Sequence, residues 1–353
     1  MIFELIIVSL IFKFLYFYIV KLIIMKLAIV GVTGLVGSTI LKVLEEKKFN
    51  VGELIPVASE SSKGKKVVFG DKEWGVIGIE EAFRRKPDIA IFSAGKNVSL
   101  DWASKFADKG TYVIDNSSAW RMHEDKKLIV PEVNIAILEP EDRIIANPNC
   151  STIQLVVVLW PLHKKYGLKR VVVSTYQSVS GSGFKGIDQL MNERAGKMVN
   201  KPAYPHNIDL NCIPHGGSFL DDGYTEEEIK LTNESRKILG LPDLKLTGTV
   251  VRVPVTGGHS ESVNIEFKKT PNIKEVCEIL NNSMGIIVLD DLNKNEYPMP
   301  ITSNGRDETF VGRIRMDNSN EKAINLWITA DNLRKGAATN AVQIAEYIYD
   351  NFI

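Results

Sequence analysis

Short apolar runs alternate with helical patterns in the first part of the chain. Residues 26–30 form an apolar run that ends at Gly31, and residues 38–47 carry apolar side chains at helical spacing. Four more β-like runs follow, separated by helical or polar stretches, at residues 54–58, 88–93, 111–115 and 143–146. Strands that alternate with helices are typical of βαβ units, so this pattern predicts an α/β fold whose parallel sheet has helices on both faces.

The pattern changes beyond residue 150. Alternating or β-branched runs occupy residues 170–176, 247–255, 262–267, 310–316 and 323–330. They predict a mostly mixed or antiparallel second sheet. Residues 336–349 are helical again, and no repeat or low-complexity linker separates the two regions, so we expect them to share a large interface.

The first 24 residues are apolar apart from Glu4, Ser9, Lys13 and Lys21. The length suits a membrane helix, but Lys13 near the bilayer centre would cost about 2.5–3.5 kcal/mol. No small-residue cleavage site follows, which is unlike a signal peptide. Three interpretations stay open: a mis-assigned start with initiation at Met25, a membrane anchor, or another amphipathic role.

Composition narrows the class of protein. The 353 residues suit about two domains, and 44% hydrophobic with 24% charged residues is ordinary for a globular protein. Lys+Arg and Asp+Glu both number 43, which gives no support for a broad nucleic-acid surface. The three cysteines form no C-x-x-C, so neither a disulfide framework nor a thiolate metal site is predicted. We expect a cytoplasmic protein without a bound metal.

A glycine-rich turn follows the first apolar run. The spacing is G-x-x-G-x-x-G, between a strand and a helix, which is the setting of a dinucleotide site. The candidate contacts are Gly31, Thr33, Gly34, Leu35, Val36 and Gly37. Backbone N–H groups at such a helix start suit a pyrophosphate. The alternative is a turn that only packs the helix on the strand.

The end of the second predicted strand indicates which dinucleotide binds. An acidic residue there would favour NAD, whereas this chain has hydroxyls and lysines, with Ser59, Ser61 and Ser62 as candidate contacts. These groups suit a 2′-phosphate, so NADP is predicted. Glu60 is discordant, and a solvated loop stays possible.

Cys150 is the candidate nucleophile. It lies in Asn147-Pro-Asn-Cys-Ser-Thr, between an apolar run and a long apolar helix over residues 153–162. A helix N-terminus stabilises a thiolate, so we expect a lowered pKa for Cys150. The alternative is an inert buried thiol. Cys212 and Cys277 lack such surroundings, and we expect them to be packing residues.

Several blocks together resemble the aspartate-semialdehyde dehydrogenase family. They are NPNCST at 147–152, STYQSVSGSG at 174–183, GGHSESV at 257–263, SAGKNVS at 93–99, DNSSAWRM at 115–122, VPEVN at 130–134, EEEIKLTNESRKIL at 226–239 and VRVPV at 251–255. The blocks run in family order from Met25 to the C-terminus, and only the first 24 residues fall outside.

The resemblance implies an activity and its reacting residues. L-aspartyl 4-phosphate would be reduced to L-aspartate 4-semialdehyde with NADPH, in the biosynthesis of lysine, diaminopimelate, threonine, methionine and isoleucine. Cys150 would form a thioester, His259 would be the acid/base group, and Gln177 would orient the acyl group. His215 is a weak rival to His259.

The resemblance also implies binding residues. Arg252 matches the ligand of the α-carboxylate and Glu227 the partner of the α-ammonium; Arg121, Asn149 and Lys230 match the phosphate ligands. Ser180, Gly181 and Asn340 match cofactor contacts. Glu227 and Lys230 would otherwise be an ordinary i,i+3 pair, and within the acidic run 226–228 the functional position rests on family spacing.

The resemblance completes the expected architecture. A Rossmann-type NADP domain would comprise residues 25–149 and 331–353, and residues 150–330 would form an α+β catalytic and dimerisation domain with a mixed sheet. A homodimer or homotetramer is expected, with a small-molecule substrate and phosphate as partners, and a membrane only if residues 1–24 are real.

Two other functions are weighed against this one. N-acetyl-γ-glutamyl-phosphate reductase uses the same chemistry, but its acetylated amine is uncharged and would leave Glu227 without an ionic partner. A non-catalytic nucleotide-binding protein is the second, and the joint presence of Cys150, Gln177, Arg252 and His259 argues against it.

Overall fold

The computed structural model describes residues 25–353, so the three interpretations of residues 1–24 lie outside the described residues. Within the described range, no helix combines the length and apolar character needed to cross a membrane. Two six-stranded sheets and one small hairpin organise this part of the chain.

The first sheet is wholly parallel, in the order β2-β1-β5-β6-β8-β7. The strands of this half of the chain are β1 (Lys26–Val30), β2 (Glu53–Val57), β3 (Lys66–Phe69), β4 (Lys72–Gly75), β5 (Ile89–Phe92), β6 (Tyr112–Asp115), β7 (Lys127–Leu128) and β8 (Ile144–Ala146). The helices beside them are α1 (Leu35–Glu46), α2 (Ile79–Arg85), α3 (Lys96–Asp108) and α4 (Pro131–Asn134). Strands β3 and β4 form the separate hairpin, which the apolar pattern did not predict.

Both faces of the parallel sheet are buried. Along β1, Leu27 and Ile29 belong to one apolar cluster, whereas Ala28 and Val30 belong to the cluster on the other face. A strand buried on both sides needs an uninterrupted apolar run, and this explains the pattern at residues 26–30. The predicted layers are therefore confirmed.

The second sheet is mixed, in the order β10-β9-β11-β14-β13-β12. Only the two outer pairs, β10 with β9 and β12 with β13, are parallel. The strands are β9 (Leu168–Gln177), β10 (Lys245–Arg252), β11 (His259–Phe267), β12 (Ile286–Val288), β13 (Thr309–Asp317) and β14 (Asn320–Ala330). The helices are α5 (Cys150–Tyr166), α6 (Gly183–Arg194), α7 (Glu226–Leu239), α8 (Ile273–Asn281) and α9 (Pro300–Ser303).

Strand β10 ends at Arg252, although the apolar pattern extended to residue 255. Pro254 has no N–H to donate to a ladder, which explains the early end. Strand β11 starts at His259, earlier than predicted, because its polar first residues are buried and pair with β9 and β14. Arg252 and His259 therefore lie at strand ends.

The chain returns to the first sheet at its C-terminus. A π-helical turn, Arg334–Ala338, leads into α10 (Thr339–Phe352). Val342, Ile344 and Ile348 of α10 belong to the same apolar cluster as Leu27 and Ile29 of β1. The last helix thus packs with the first core; the exact domain boundaries given above stay a prediction.

Candidate active site

A cleft of about 550 Å³ lies between the two sheets. The first sheet contributes residues that follow the carboxyl ends of its strands, including Ser93 after β5 and Asn116 after β6. Gln177, Arg252 and His259 contribute from strand ends of the second sheet. Ligands of parallel α/β sheets bind at the carboxyl ends of the strands, and the second sheet closes this position from the other side.

Cys150 is the first residue of α5 and lines this cleft. Asn149 precedes it as the N-cap, and its Oδ1 accepts hydrogen bonds from the N–H groups of Ser151 (3.0 Å) and Thr152 (3.4 Å). Gly336 packs against the cysteine, since a Cβ there would lie 2.8 Å from the Cβ of Cys150. The cap and this contact together fix the backbone and the Cβ of Cys150 at the cleft.

The structure corrects the expected pKa of Cys150. Burial, and secondly the nearby Glu227 carboxylate, raise the pKa of the thiol to about 11, although Arg252, Arg121 and the Ser151 N–H act in the opposite direction. The prediction of a lowered pKa was therefore wrong for the free chain. Cys150 does lie at a helix N-terminus, but desolvation and the neighbouring Glu227 carboxylate outweigh the effect of that position.

Glu234 holds two parts of the site together, although no motif in the sequence predicted a role for it. Its side chain is fully buried; Oε1 accepts from Nη1 of Arg121 (3.1 Å) and Oε2 from the backbone N–H of Asn149 (2.7 Å). A buried carboxylate is stable only when such donors surround it. It ties helix α7 to the nucleophile loop.

Arg121 is fixed as well as charged. Its Nε donates to the carbonyl of Asn147 (2.9 Å) and its Nη2 to the carbonyl of Asn116 (2.8 Å). With the bond to Glu234, three of the five N–H donors are used, and two are available to a ligand. A side chain held in this way loses little freedom on binding an anion.

Glu227 and Lys230 both line the cleft. Glu227 Oε1 accepts from Lys230 Nζ (3.2 Å), and Oε2 accepts from Asn149 Nδ2 (2.9 Å). The contact with Asn149 makes the pair more than a surface i,i+3 ion pair. Residues 227, 230 and 234 share one face of α7, so this spacing is the signal that would have pointed to Glu234.

His259 is completely buried at the start of β11. Its Nδ1 accepts a hydrogen bond from the backbone N–H of Ser178 (3.1 Å). Burial, and secondly the charge of Arg252, hold the pKa of the imidazole well below its usual value. The other ring nitrogen, Nε2, lies beside Gly181 at the cleft, where a Cβ on that glycine would be 3.3 Å away.

Gln177 and Arg252 are register partners on β9 and β10. Gln177 Nε2 donates to Ser151 Oγ (2.8 Å), which places the amide beside the start of α5. Arg252 Nη1 donates to the carbonyl of Ser178 (2.8 Å), while Nε is buried without a partner among residues 25–353. Both side chains line the cleft.

The glycine-rich turn allows close backbone approach. Gly31 has a φ of +95°, and a Cβ there would lie 2.4 Å from the carbonyl oxygen of Ser93. A Cβ on Gly37 would lie 2.2 Å from the oxygen of Gly31. Gly34 is the N-cap of α1 and offers no side-chain acceptor, so the first N–H groups of the helix are available to a ligand. Gly34, Leu35 and Val36 line the cleft, whereas Thr33 is exposed beside them.

Ser59, Ser61 and Ser62 lie farther from the reacting groups. They follow β2 in and beside the 3₁₀ turn Glu60–Ser62, outside the lining of the cleft. Ser59 Oγ and Ser61 Oγ are 3.0 Å apart, and Lys65 Nζ donates to Ser62 Oγ (3.3 Å). Since β2 pairs in parallel with β1, this turn and the glycine-rich turn both follow the carboxyl ends of neighbouring strands.

Asn340 does not line the cleft, contrary to the prediction of a cofactor contact. It is completely buried outside the cleft lining, and its Nδ2 donates to Asn147 Oδ1 (2.6 Å) and to the carbonyl of Ile129 (2.9 Å). The returning segment does reach the cleft, but through Asn332, Leu333, Gly336 and Ala337. These lining residues lie in or just before the π-helical turn, whereas Asn340 follows it, and sequence periodicity gives no sign of such a turn.

Comparison with known proteins decides the family. The family described as "Semialdehyde dehydrogenase, NAD binding domain" matches residues 26–139, and "Semialdehyde dehydrogenase, dimerisation domain" matches residues 159–335. Aspartate-semialdehyde dehydrogenase from Aquifex aeolicus is 52% identical over 337 residues, covering 92% of this chain and 97% of that protein. The chain belongs to the aspartate-semialdehyde dehydrogenase family.

Solved structures of the family agree with this assignment. Aspartate semialdehyde dehydrogenase II from Vibrio cholerae superposes with a TM-score of 0.89 at 43% identity, covering 93% of this chain and 99% of that one. A structure of the same enzyme complexed with ASA has a TM-score of 0.89 at 42% identity, with the same coverage. The resemblance predicted from the sequence blocks is confirmed.

Most of the predicted site residues line this cleft. The lining includes Gly34, Leu35, Val36, Arg121, Asn149, Cys150, Gln177, Ser180, Gly181, Glu227, Lys230, Arg252 and His259. His215 does not; its ring stacks on Phe219 with centroids 4.4 Å apart. Among residues 25–353, no group of three candidate metal ligands occurs.

Proposed function

We propose that the cleft reduces L-aspartyl 4-phosphate to L-aspartate 4-semialdehyde through a thioester on Cys150. Aspartate-semialdehyde dehydrogenase activity, in the biosynthesis of aspartate-family amino acids, is the activity of the family to which the chain belongs. The observation that carries the proposal for these residues is the convergence of Cys150, Arg252, Glu227 and Arg121 on one cleft.

Three charged groups of the substrate find complementary side chains. Arg252 would bind the α-carboxylate, because a guanidinium can donate two parallel hydrogen bonds to it. Glu227 would accept the α-ammonium in exchange for its present bond to Lys230. Lys230, released in this way, would join Arg121 and Asn149 at the phosphate. The exchange keeps each charge paired.

Attack by the Cys150 sulfur on the acyl carbon would expel phosphate and leave the thioester. Gln177, bonded to Ser151 at the start of α5, would orient the acyl group beside the sulfur. NADPH, when bound, supplies the hydride that reduces the thioester to the aldehyde level. Dividing the reaction at a covalent intermediate lowers each barrier.

The residues at the first sheet suit a dinucleotide. The close approach of Gly31 to Ser93 and the open N-terminus of α1 leave space and donors for a pyrophosphate, and the matched family is an NAD-binding domain. For NADP over NAD, the support is the absence of an acidic residue at position 59 together with Ser59, Ser61, Ser62 and the neighbouring lysines. Ser180 and Gly181 would lie at the nicotinamide end.

We also infer a homodimer, or a tetramer of dimers, in the cytoplasm. The matched dimerisation domain supports self-association, and we place the interface on the outer face of the mixed sheet, where the half-buried rings of Tyr176 and Trp327 pack 5.3 Å apart. The cysteines of the described residues are free, and a thiol nucleophile suits a reducing compartment. Residues 25–149 with 331–353, and residues 150–330, are our proposed domains.

The free amino acid is preferred to an N-acetylated substrate. Glu227 presents a carboxylate to the cleft, and an uncharged acetamide could not replace its ion pair with Lys230 when Lys230 moves to the phosphate. The Glu227→Gln variant makes this testable, since it should lose activity with the free amino acid more than with an acetylated one.

The deciding experiment is phosphate-dependent reduction of NADP by L-aspartate semialdehyde, assayed for the full chain and for a chain beginning at Met25. N-acetylglutamate semialdehyde and NAD are the matched alternative substrate and cofactor. Turnover that needs phosphate and prefers the free amino acid supports the proposal. Preference for the acetylated aldehyde would contradict the substrate, and NADP binding without turnover would favour the non-catalytic function.

A further inference from the structure

Lys335 is completely buried and belongs to the π-helical turn. Its Nζ donates to both carboxylate oxygens of Glu132 (2.8 and 2.6 Å), to Asn340 Oδ1 (3.1 Å) and to Gln343 Oε1 (2.9 Å). Glu132 lies in α4 and is buried as well. None of these four residues lines the cleft, and the proposed reaction assigns no role to this ion pair.

The backbone beside Lys335 packs on the nucleophile. Gly336 is the next residue of the turn, and a Cβ on it would lie 2.8 Å from the Cβ and 3.3 Å from the Cα of Cys150. Single π-helical turns are rare and occur mostly at functional sites. The ion pair with Glu132 connects this turn to α4, so the contact with Cys150 is fixed from the side of the turn that faces away from the cleft.

The Lys335 ammonium also determines how three amides in series are oriented. Because Nζ can only donate, Asn340 turns Oδ1 towards it, and Asn340 Nδ2 donates to Asn147 Oδ1 (2.6 Å). Asn147 Nδ2 then donates to Asn116 Oδ1 (2.7 Å) and to the carbonyl of Ala337 (3.3 Å). Asn147 and Asn116 both line the cleft. Asn116 Nδ2 is buried without an acceptor among residues 25–353, so the series ends in a free donor.

The same series reaches a proposed phosphate ligand. The backbone carbonyl of Asn147 accepts from Arg121 Nε (2.9 Å), and that of Asn116 accepts from Arg121 Nη2 (2.8 Å). Asn147 also begins the loop that leads into Cys150 at the start of α5. Continuous hydrogen bonds therefore join Lys335 to the phosphate-binding side of the cleft and to the loop before the nucleophile.

Stability alone does not require charges at this position. The desolvation of two buried charges offsets much of their attraction, and uncharged residues of similar volume often replace such a pair without loss of stability. An uncharged pair would not force the Asn340 amide into one orientation, because it would not present an ammonium that can only donate.

We propose that Lys335, held by Glu132, is a positioning residue for the reaction. It fixes the π-helical turn against Cys150 and sets the orientation of the amides of Asn340, Asn147 and Asn116. The inference rests on the proposed function, in which Cys150 is the nucleophile and Arg121 binds the phosphate.

A double variant separates positioning from stability. Lys335→Met alone leaves the Glu132 charge buried and unpaired, and it should lose much of its stability. Lys335→Met combined with Glu132→Gln removes both charges at nearly constant volume, so its midpoint in urea should return close to that of the parent. Its kcat should stay about 10²-fold below the parent, while KM for L-aspartate semialdehyde changes less than about threefold because Arg252 and Glu227 are untouched. Kinetics that recover together with stability would overturn the proposal.

The two amide neighbours of Lys335 allow a comparison that does not depend on the double variant. Asn340→Leu interrupts the series towards the cleft, whereas Gln343→Met removes only a bond on the other side of the ammonium. We expect kcat to fall about tenfold or more in Asn340→Leu and to stay near the parental value in Gln343→Met. Val342→Ala, a change in the buried core on α10, shows how kinetics respond to lost stability alone. Equal kinetics in the three variants would contradict the proposal.

Alkylation of Cys150 tests the inference without substrate. The rate with iodoacetamide can be measured for the full chain by mass spectrometry, with Cys277 in the same sample as the control. Because Gly336 covers Cys150, release of the turn in the double variant should raise the Cys150 rate about tenfold and leave the Cys277 rate unchanged. An unchanged or slower Cys150 rate would overturn the inference. This readout holds even if L-aspartate semialdehyde is not the substrate, so the two proposals fail separately.

Discussion

Two helix N-termini face the same cleft, and one of them is capped by a side chain whereas the other is not. At α5, the Asn149 side chain accepts from the N–H groups of Ser151 and Thr152. At α1, the N-cap is Gly34, which has no side chain to do so. The first helix start is closed by the protein itself, and the second is left open to a ligand.

The difference separates two kinds of chemistry. The closed N-terminus of α5 fixes Cys150 in space, but the stabilisation that the Ser151 N–H gives a thiolate is outweighed by burial and by Glu227, so the pKa of the thiol is about 11. The open N-terminus of α1 keeps its donors for the anionic cofactor. The start of α5 positions the nucleophile, and the start of α1 offers N–H donors to an anion.

Loss of the residue at the closed N-terminus should have the largest effect. Cys150→Ala should lower kcat by about 10⁴-fold or more, since no other group can form the thioester. NADP affinity, measured by fluorescence titration, should change little because the cofactor binds at α1. Cys277→Ala is the matched control, with near-parental kinetics expected. Substantial turnover without Cys150 would remove it as the nucleophile.

The open N-terminus can be tested with two glycines. Gly37→Ala places a Cβ 2.2 Å from the Gly31 oxygen, so the turn must distort; we expect both a lower Tm and NADP binding weakened about 100-fold. In Gly34→Ala the nearest atom is 3.3 Å away, so Tm should hardly change. Because Gly34 lines the cleft, its NADP affinity should still fall.

Two results would contradict the prediction for the glycine variants. If Gly34→Ala binds NADP as tightly as the parent, the start of α1 is not the pyrophosphate site. If Gly37→Ala keeps both its Tm and its affinity, the close packing of the turn does not shape the site.

Substitution of Glu234, which bonds Arg121 and the loop before Cys150, should have the next largest effect on activity. Glu234→Gln leaves one oxygen for Arg121 or for the Asn149 N–H but removes the charge that holds both, so we expect kcat/KM to fall about 10²-fold. The decrease should be largest at low phosphate, because Arg121 is a proposed phosphate ligand. The exposed Glu226→Gln on the same helix is the control. Equal kinetics for the two variants would show that Glu234 has no part in positioning.

The layers of the fold could be predicted because the burial of each sheet determines the order of apolar and polar residues along its strands. The parallel sheet is buried on both faces and appears as unbroken apolar runs, as in β1. In the mixed sheet, exposed and buried residues alternate along the strands, as in β11, where Ser262 is exposed and Val263 is buried. The β3–β4 hairpin was missed because its half-exposed, lysine-rich strands carry neither pattern.

The candidate site was predicted where motifs are local and missed where partners are distant. The position of Cys150 at a helix start follows from its neighbours in the sequence. Its pKa does not, since burial and Glu227 act through the tertiary structure. Glu234 and the π-helical turn that buries Asn340 were missed for the same reason: their partners are far away in the chain.

The smallest effect concerns a third helix start, at α7, which is capped but carries no reacting group. Thr225 Oγ1 accepts from the Glu228 N–H (3.4 Å), and Glu228 Oε2 accepts from the Thr225 N–H (2.7 Å), forming a capping box. Thr225→Ala should lower the free energy of unfolding by about 1 kcal/mol, measured by urea denaturation, and Thr225→Ser should restore most of it. Because Glu227 lies in the same first turn, KM for L-aspartate semialdehyde should rise slightly in the Ala variant while kcat stays unchanged. A large fall in kcat would mean that the helix start acts on the chemistry, and the distinction between caps that fix a reacting group and caps that only hold a helix would fail.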